Sequence, residues 1–256
     1  MVIVLHGGPG APGYMAPVAR GLEDSFRVIE PLQRRSGGEP LTVARHVDDL
    51  HEVITKAGKM YGPALVGSSW GAMLALAYAA TYPAMAGPLV LIGCGTFDLD
   101  ARAAMKATID KRMDESLRIR LKRLPEEFPN PDDQLKSMGD LIQPLHIYKS
   151  LAAEPEGESC DARGHHETWD DMVRLQSEGV YPEAFAVIKS PVLMLHGTYD
   201  PHPGRMIQES LKPYITQLEY HEWERCGHYP WLETSVRGEF FNILNDWLKR
   251  NLPRDY

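Results

Sequence analysis

Short apolar runs alternate along the chain with amphipathic segments. VIVL at residues 2–5 and LVLI at 89–92 have the length and composition of β-strands that are covered on both faces. Residues 42–59 instead carry apolar side chains at three- and four-residue steps, which predicts an amphipathic helix. This alternation indicates an α/β fold with a mostly parallel sheet of about six strands flanked by helices. The predicted strands lie at 2–5, 27–30, 64–67, 89–92, 191–195 and 218–223, and further helices at 16–22, after the turn at 67–71 as far as Ala80, at 205–211 and at 236–248.

An uncharged stretch of 37 residues, from 61 to 97, occupies the centre of this pattern. About 20 apolar residues can span a bilayer, so the stretch is long enough for a transmembrane helix. Breaks such as Gly62-Pro63 and Gly87-Pro88 divide it into strand-sized and helix-sized pieces. We therefore expect the buried centre of a sheet and no membrane partner.

Residues 98–188 interrupt the alternation. They show helical patterns at 101–121 and 133–151 and no convincing strand, and they hold 12 Lys and Arg against 19 Asp and Glu. The whole chain has a net charge of −8, so nearly all of its excess negative charge lies in this segment. The shift predicts an α/β core formed by residues 1–97 and 189–256, with 98–188 inserted as a helical cap.

Composition narrows the possible partners. With 256 residues, 43% hydrophobic and 24% charged, the chain is suited to a packed core, and is neither disordered nor a disulfide-stabilised miniprotein. An acidic chain with a pI near 5.7 has no overall attraction to nucleic acid or anionic lipid. Three cysteines and no visible secretory signal predict a reduced, cytoplasmic protein.

The sequence Gly67-Ser68-Ser69-Trp70-Gly71 follows a predicted strand and precedes a predicted helix. A G-x-S-x-G nucleophile elbow requires this context, because side chains two positions from the nucleophile would clash in so sharp a turn. The spacing selects Ser69 over Ser68, since the bulky Trp70 lies two residues after Ser68. The alternative interpretation is a glycine-rich turn that contains serine by chance.

A serine hydroxyl needs a base to take its proton. His228 follows the last predicted strand and Asp200 follows the strand before it, which gives the order Ser, Asp, His along the chain. Asp98, which follows an earlier strand, is the alternative acid. We expect His196 to pack at a strand end and His202 to be too close along the chain to Asp200 to face it easily.

Attack on a carbonyl creates an oxyanion, which two preplaced N–H donors must stabilise. We assign one donor to the backbone of Trp70, at the start of the helix after the elbow, and the other to Gly8 in the loop HGGPG at 6–10, with Gly7 as second choice. This loop has neither a phosphate-loop ending nor a dinucleotide register, so no cofactor is expected. The His-His pair at 165–166 lacks an established ligand spacing, so no metal is expected either.

These motifs resemble the α/β-hydrolase superfamily and, in particular, its proline iminopeptidase branch. The resemblance is carried by HGGPG at 6–10, GSSWG at 67–71, QRRSG at 33–37 and VLMLHGTYD at 192–200, and it does not extend to residues 98–188. It implies a serine hydrolase with a helical cap over the active site. The family usually has one or two further strands before the HGGPG strand, so the resemblance implies a sheet reduced at its N-terminal edge.

In that branch, carboxylates of the cap hold the free α-amine of the substrate. Leu32 stands where the family commonly has Asp, which favours a general esterase or amidase over a peptidase. An amine-binding cap and a solvated acidic face are both open interpretations, and we assign no residue to either. The cap carboxylates in question are Glu154, Glu156, Glu158, Asp161, Glu167, Asp170 and Asp171.

The sequence therefore predicts a serine hydrolase that cleaves an ester or amide through an acyl-enzyme, with Ser69 as nucleophile, His228 as base and Asp200 as orienting acid. An aminopeptidase acting on N-terminal proline or another small residue and a general carboxylesterase both remain open. A non-enzymatic ligand-binding protein on the same fold is the third possibility. The acidic cap favours a small molecule or short peptide that is neutral or carries an amine.

Overall fold

Six parallel strands form one sheet in the computed structural model, which describes residues 1–58, 62–151 and 159–252. The strands are ordered β2-β1-β3-β4-β5-β6, and each neighbouring pair is parallel. All six lie where the apolar runs predicted them, so the predicted α/β fold is confirmed. The strands are β1 (Val2–Leu5), β2 (Val28–Ile29), β3 (Ala64–Ser68), β4 (Leu89–Ile92), β5 (Val192–Gly197) and β6 (Leu218–Trp223).

Helices cover both faces of the sheet. Successive side chains of a strand point to opposite faces, and accordingly Ile3 and Leu5 belong to one hydrophobic cluster while Val2 and Val4 belong to another. The first cluster is closed by α2, α3 and α8, and the second by α1 and α9. These helices are α1 (Ala16–Glu23), α2 (Val43–Lys56), α3 (Trp70–Thr81), α8 (Gly204–Leu211) and α9 (Arg237–Asn251).

The helix after the elbow, α3, has ten consecutive buried residues from 70 to 79. It packs against β3 on one side and α2 on another, so it carries no polar face. This burial explains why residues 70–79, in the middle of the uncharged stretch, carry no charged side chain. Among the described residues, no helix is both long and apolar enough to cross a bilayer.

The described residues between β4 and β5 form four α-helices and two short 3-10 helices, and no strand of the sheet. The single helix predicted at 101–121 is two, because Met113 is extended and the side chain of Asp114 accepts the Leu117 N–H at 2.7 Å to begin the second. The division into core and cap stays a prediction. The helices are α4 (Leu99–Arg112), α5 (Glu115–Glu127), α6 (Pro131–Ile142) and α7 (Ala162–Ser177).

Two carboxylates of α7 bind the N-terminus of α2. Glu167 accepts the Leu41 N–H and Asp171 accepts the Val43 N–H, each at 2.8 Å. The first N–H groups of a helix lack intrahelical acceptors and carry a partial positive charge, so Asp171 is stabilising at Val43, whereas Glu167 binds the chain just before the N-cap Thr42. The spacing of four residues puts both acids on one face of α7, and this face joins the inserted helices to the core.

Candidate active site

The turn between β3 and α3 has the geometry of a nucleophile elbow. Ser69 has φ 53° and ψ −117°, a backbone conformation that side chains rarely adopt. A Cβ on Gly67 would lie 2.2 Å from the Gly71 carbonyl oxygen, and one on Gly71 would lie 2.2 Å from the Leu5 carbonyl oxygen. Glycine is therefore required at both flanking positions, for the steric reason that the sequence suggested.

Asp200 and His228 lie in contact at the same edge of the sheet. The Nδ1 atom of His228 is 2.6 Å from Oδ2 of Asp200, and both side chains are buried. Asp200 follows β5 and His228 follows β6, which are neighbours in the sheet. The alternative acid, Asp98, instead caps α4 by accepting the Ala101 N–H at 2.7 Å.

The imidazole of His228 rests on Gly93, directly after β4. A Cβ on Gly93 would lie 2.8 Å from Nδ1 and 2.9 Å from Cε1 of that ring. The residue before it, Ile92, accepts the backbone N–H of Ser69 at 2.8 Å. His228 and the elbow therefore contact two neighbouring residues, Gly93 and Ile92, at the end of β4.

The HGGPG loop reaches the elbow. A Cβ on Gly7 would lie 2.8 Å from Cβ of Ser69, so only glycine allows this approach. Gly8 has φ +50°, and Trp70 begins α3. Among the described residues, no protein acceptor is bound by the backbone N–H of either Gly8 or Trp70, so both remain available as donors.

The side chain of Gln33 binds both the HGGPG loop and the start of α3, a role that the sequence did not reveal. Its Nε2 donates to the His6 carbonyl oxygen at 2.7 Å, and its Oε1 accepts the Trp70 indole N–H at 2.7 Å. One side chain therefore ties the HGGPG loop to the first residue of α3. The QRRSG motif contained the residue, but the two contacts depend on tertiary packing.

A second histidine contacts the acid. Nδ1 and the backbone N–H of His202 each lie 2.9 Å from Oδ1 of Asp200, and its ring stacks on His228 with a centroid distance of 4.6 Å. The expectation that His202 is too close along the chain to face Asp200 is wrong. An Asp side chain that accepts the N–H two residues later is an Asx turn, so the D-x-H spacing was the available signal.

A third imidazole, that of His196, also contacts Asp200. His196 is buried at the end of β5, as expected, and its Nε2 lies 3.2 Å from Oδ2 of Asp200. Burial alone would raise the pKa of Asp200, but the three neighbouring imidazoles hold that pKa well below its ordinary value. The carboxylate is therefore charged over the whole physiological range of pH.

The segment before Leu151 packs on the loop that carries His228. The His146 carbonyl oxygen accepts the His228 N–H at 2.7 Å. The buried carboxylate of Glu233 accepts three backbone N–H groups at 2.8 Å, from Gly227, Tyr148 and Lys149. Sequence reasoning missed both residues, because neither lies in a recognisable motif.

Three of the four described acids among the named carboxylates of the predicted cap accept backbone N–H groups. Asp161 accepts the Ser36 N–H at 2.5 Å and the Gly164 N–H at 3.0 Å. Glu167 and Asp171 bind the start of α2, as described above, and Asp170 is exposed. The remaining three acids, Glu154, Glu156 and Glu158, lie outside the described residues.

The histidines first considered as metal ligands are used otherwise. His165 Nδ1 lies 2.8 Å from the Pro9 carbonyl oxygen, and His166 Nδ1 lies 2.6 Å from that of Ala162. In the described part of the chain, potential ligand atoms come together instead at Asp200, His202 and His228, with one atom from each residue within 4.8 Å of the others.

Several curated proteins are similar in sequence. The chain is 28% identical to cis-3-alkyl-4-alkyloxetan-2-one decarboxylase of Shewanella oneidensis, over 38% of this chain and 33% of that protein. It is 41% identical to the proline iminopeptidase of Neisseria gonorrhoeae, over 36% of this chain and 32% of that protein. The proline iminopeptidase of Lactobacillus crispatus is 26% identical over 98% of this chain and 90% of its own length. The first two matches thus span about a third of those relatives.

Solved structures share the fold. A proline iminopeptidase of Mycobacterium smegmatis superposes with a TM-score of 0.64 at 20% identity, over 98% of this chain and 89% of that chain. An esterase of Thermogutta terrifontis gives a TM-score of 0.64 at 20% identity, over 97% and 89%. At this identity the likeness concerns the fold alone.

The model of the alpha/beta hydrolase family matches residues 2–240, which includes the elbow, the acid and the base candidates. Together with the relatives, this match confirms the resemblance seen in the motifs. The chain belongs to the alpha/beta hydrolase family.

Proposed function

We propose that the chain is a serine hydrolase that cleaves an ester or amide bond through an acyl-enzyme, with Ser69, His228 and Asp200 as its catalytic triad. The observation that carries this proposal is the 2.6 Å contact between buried Asp200 and His228, beside an elbow whose serine has φ 53°. A strained serine and an oriented imidazole at one sheet edge are the parts that acyl transfer needs.

In the proposed reaction, Oγ of Ser69 attacks the carbonyl carbon and its proton passes to Nε2 of His228. The backbone N–H groups of Gly8 and Trp70 stabilise the oxyanion. The bond to the leaving group then breaks, and His228 returns the proton to that group. Water, activated by the same base, hydrolyses the acyl-enzyme and restores Ser69. Asp200 holds the Nδ1–H of His228, which keeps the Nε2 lone pair free for the serine.

Ser69→Ala tests the nucleophile, and Ser68→Ala is its matched control in the next position. Ser69→Ala should abolish labelling by a fluorophosphonate probe and lower kcat for p-nitrophenyl esters by up to about a million-fold. Ser68→Ala should keep the labelling, since Ser68 belongs to β3 and is fully buried. Labelling that survives Ser69→Ala would show that the assignment is wrong. A wild-type chain that neither labels nor turns over substrate would favour the ligand-binding alternative.

Within this chemistry, we propose an aminopeptidase on N-terminal proline or another small residue as the first substrate class. The Lactobacillus crispatus proline iminopeptidase is similar over 98% of this chain, which supports the proposal. A neutral or amine-bearing substrate also suits the excess of Asp and Glu in residues 98–188.

A general carboxylesterase is the second candidate. It is favoured by the engagement of Asp161, Glu167 and Asp171 with backbone N–H groups, since these carboxylates are then occupied before any substrate amine arrives. A panel of amino-acid arylamides and acyl esters separates the two classes. Hydrolysis of proline arylamide supports the peptidase, and turnover of esters with inert arylamides supports the esterase.

We also propose that the protein works in the reducing cytoplasm. Cys94, Cys160 and Cys226 are all free and buried, which supports a chain that does not depend on disulfides. Unfolding curves that are the same with and without a reducing agent are the expected result.

A further inference from the structure

A catalytic triad requires one imidazole at its carboxylate, whereas Asp200 contacts three, two of them through Nδ1. His228 contacts its Oδ2 and His202 contacts its Oδ1, both through Nδ1. The two rings are nearly parallel, with an interplanar angle of 21° and a centroid distance of 4.6 Å. Two imidazoles and one carboxylate therefore converge on one point at the end of the sheet.

We propose that Asp200, His202 and His228 form a binding site for a divalent transition metal of the Zn²⁺ type, and that metal binding reversibly switches off the hydrolase. This inference rests on the proposed function for its effect on turnover, but not for the binding itself. It assigns a regulatory ligand to the site, distinct from any cofactor of the reaction.

The donor set fits this class of metal. One ligand atom from each of the three residues lies within 4.8 Å of the other two. Imidazole nitrogen and carboxylate oxygen suit Zn²⁺, Cu²⁺ and Ni²⁺, whereas Mg²⁺ and Ca²⁺ prefer all-oxygen sites. Zinc bonds of about 2.0–2.2 Å require the hydrogen-bonded imidazole and carboxylate atoms to move slightly apart and the more distant ligand atoms to move closer, and water completes the tetrahedron.

His202 supplies the route of entry. Its side chain is 13% exposed, whereas those of Asp200 and His228 are almost fully buried. Both oxygens of Asp200 already face imidazole nitrogens, so the carboxylate lies next to the point at which the metal would enter. A metal that first meets the His202 ring is then next to both other ligands.

A metal bound to either ring nitrogen of His228 prevents this histidine from acting as the base. If the metal takes Nε2 of His228, it consumes the lone pair that would accept the proton of Ser69. If it takes Nδ1, the proton on Nδ1 moves to Nε2 of the same ring, and Nε2 becomes a donor. In both cases the imidazole has no free lone pair for the serine, so occupancy and turnover exclude each other.

His202→Asn isolates the metal site from the hydrogen bond. An Asn side chain can still donate an N–H to Oδ1 of Asp200, but it offers no imidazole ligand. His166→Asn is the matched control, because His166 is an exposed histidine on α7. His202→Gln provides a second variant with a longer amide side chain in case the first one folds poorly.

The binding experiment uses the full chain with Ser69→Ala, freed of metal by a chelator, and isothermal titration with Zn²⁺. We expect one equivalent of Zn²⁺ to bind, at least tenfold weaker affinity after His202→Asn or His202→Gln, and unchanged affinity after His166→Asn. Equal affinity with and without His202 would overturn the proposal. Since this background carries no nucleophile, the result does not depend on hydrolase activity.

The activity experiment titrates Zn²⁺ against ester turnover by the chain with Ser69 intact. Zn²⁺ should inhibit, a chelator should restore the rate, and Mg²⁺ should have no effect. His202→Asn should raise the half-inhibitory Zn²⁺ concentration at least tenfold, measured against its own metal-free rate. Binding without inhibition would contradict the proposed link to the base, whereas absence of any metal-free turnover or labelling would instead reject the proposed hydrolase.

Discussion

The absence of a side chain at Gly93 leaves room for the ring of His228. It has φ +52°, in the left-handed region, and the ring of His228 occupies the space where its Cβ would lie. Most residues would be strained by the backbone and would also collide with the imidazole. The position of the base thus depends on a residue that takes no part in the chemistry.

Gly93→Ala should therefore damage both stability and catalysis. The left-handed backbone costs about 1–2 kcal/mol for alanine, and displacement of the ring by even 1 Å can reduce kcat about a hundredfold. The measurements are the free energy of unfolding in urea and kcat for an ester. Gly139→Ala is the control, since it lies within α6 with open space around it and should stabilise the helix by up to about 1 kcal/mol. A normal kcat for Gly93→Ala would show that the ring does not depend on this contact.

Among single residues, the sequence predicted those whose position depends only on their neighbours along the chain. The position of Ser69 in a sharp turn follows from the two glycines that flank it, because the constraint acts within five residues. The contact of Gln33 with Trp70 joins residues that are far apart along the chain, so no spacing encodes it. His202 lies between these cases: its contact with Asp200 is local, but it required the Asx turn to be recognised.

At the scale of elements, the loop that carries His228 is joined to the end of the helical insertion. Glu233 accepts the N–H of Gly227 from this loop and those of Tyr148 and Lys149 from the insertion. Its carboxylate is fully buried, and three N–H donors compensate for the loss of water. The position of the loop that carries the base thereby depends on residues 148–149 of the insertion.

Glu233→Gln should weaken this junction. The amide keeps one acceptor oxygen but turns an N–H₂ group toward one of the three donors, which leaves a buried donor unpaired at a cost of about 1–3 kcal/mol. We expect a lower free energy of unfolding and a lower kcat. Glu209→Gln is the control, because Glu209 is an exposed residue of α8 and should change stability by no more than about 0.5 kcal/mol. Equal losses in both variants would argue against a positioning role for Glu233.

Strands and inserted helices differ in how far the sequence predicted them. The four central strands, β1, β3, β4 and β5, are short and largely apolar runs that are buried on both faces, so their pattern is set by their own residues. The docking of α7 depends on its acids meeting the N-terminus of α2, which periodicity alone does not reveal. The acidic residues were therefore recognised as a cluster, but their use in joining the insertion to the core was not.

At the scale of the whole molecule, negative charge and buried histidines meet where the insertion contacts the core. His46 of α2 is 3% exposed, and its Nε2 lies 2.9 Å from Oγ1 of Thr168 on α7. Burial lowers the pKa of His46 to about 4. At the end of the insertion that contacts the active site, burial and the neighbouring His228 lower the pKa of His146 to about 3.

These histidines make the protein sensitive to mild acid. In the unfolded chain a histidine takes up its proton near pH 6.5, whereas folded His46 stays neutral until about pH 4. Between these values the unfolded state binds more protons, so the free energy of unfolding rises with pH and falls as the solution is acidified. The stabilisation that neutral His46 provides is complete above about pH 6.5. As much as about 3 kcal/mol of this stabilisation is lost by about pH 4.

His46→Gln tests this account, since an amide can still bond to Thr168 but does not titrate. Urea unfolding between pH 7.5 and pH 4.5 should show a steep loss of stability in the wild type and a flatter one in the variant. His166→Asn, at an exposed histidine, should follow the wild-type slope. A variant curve parallel to the wild type would assign the acid sensitivity to other groups.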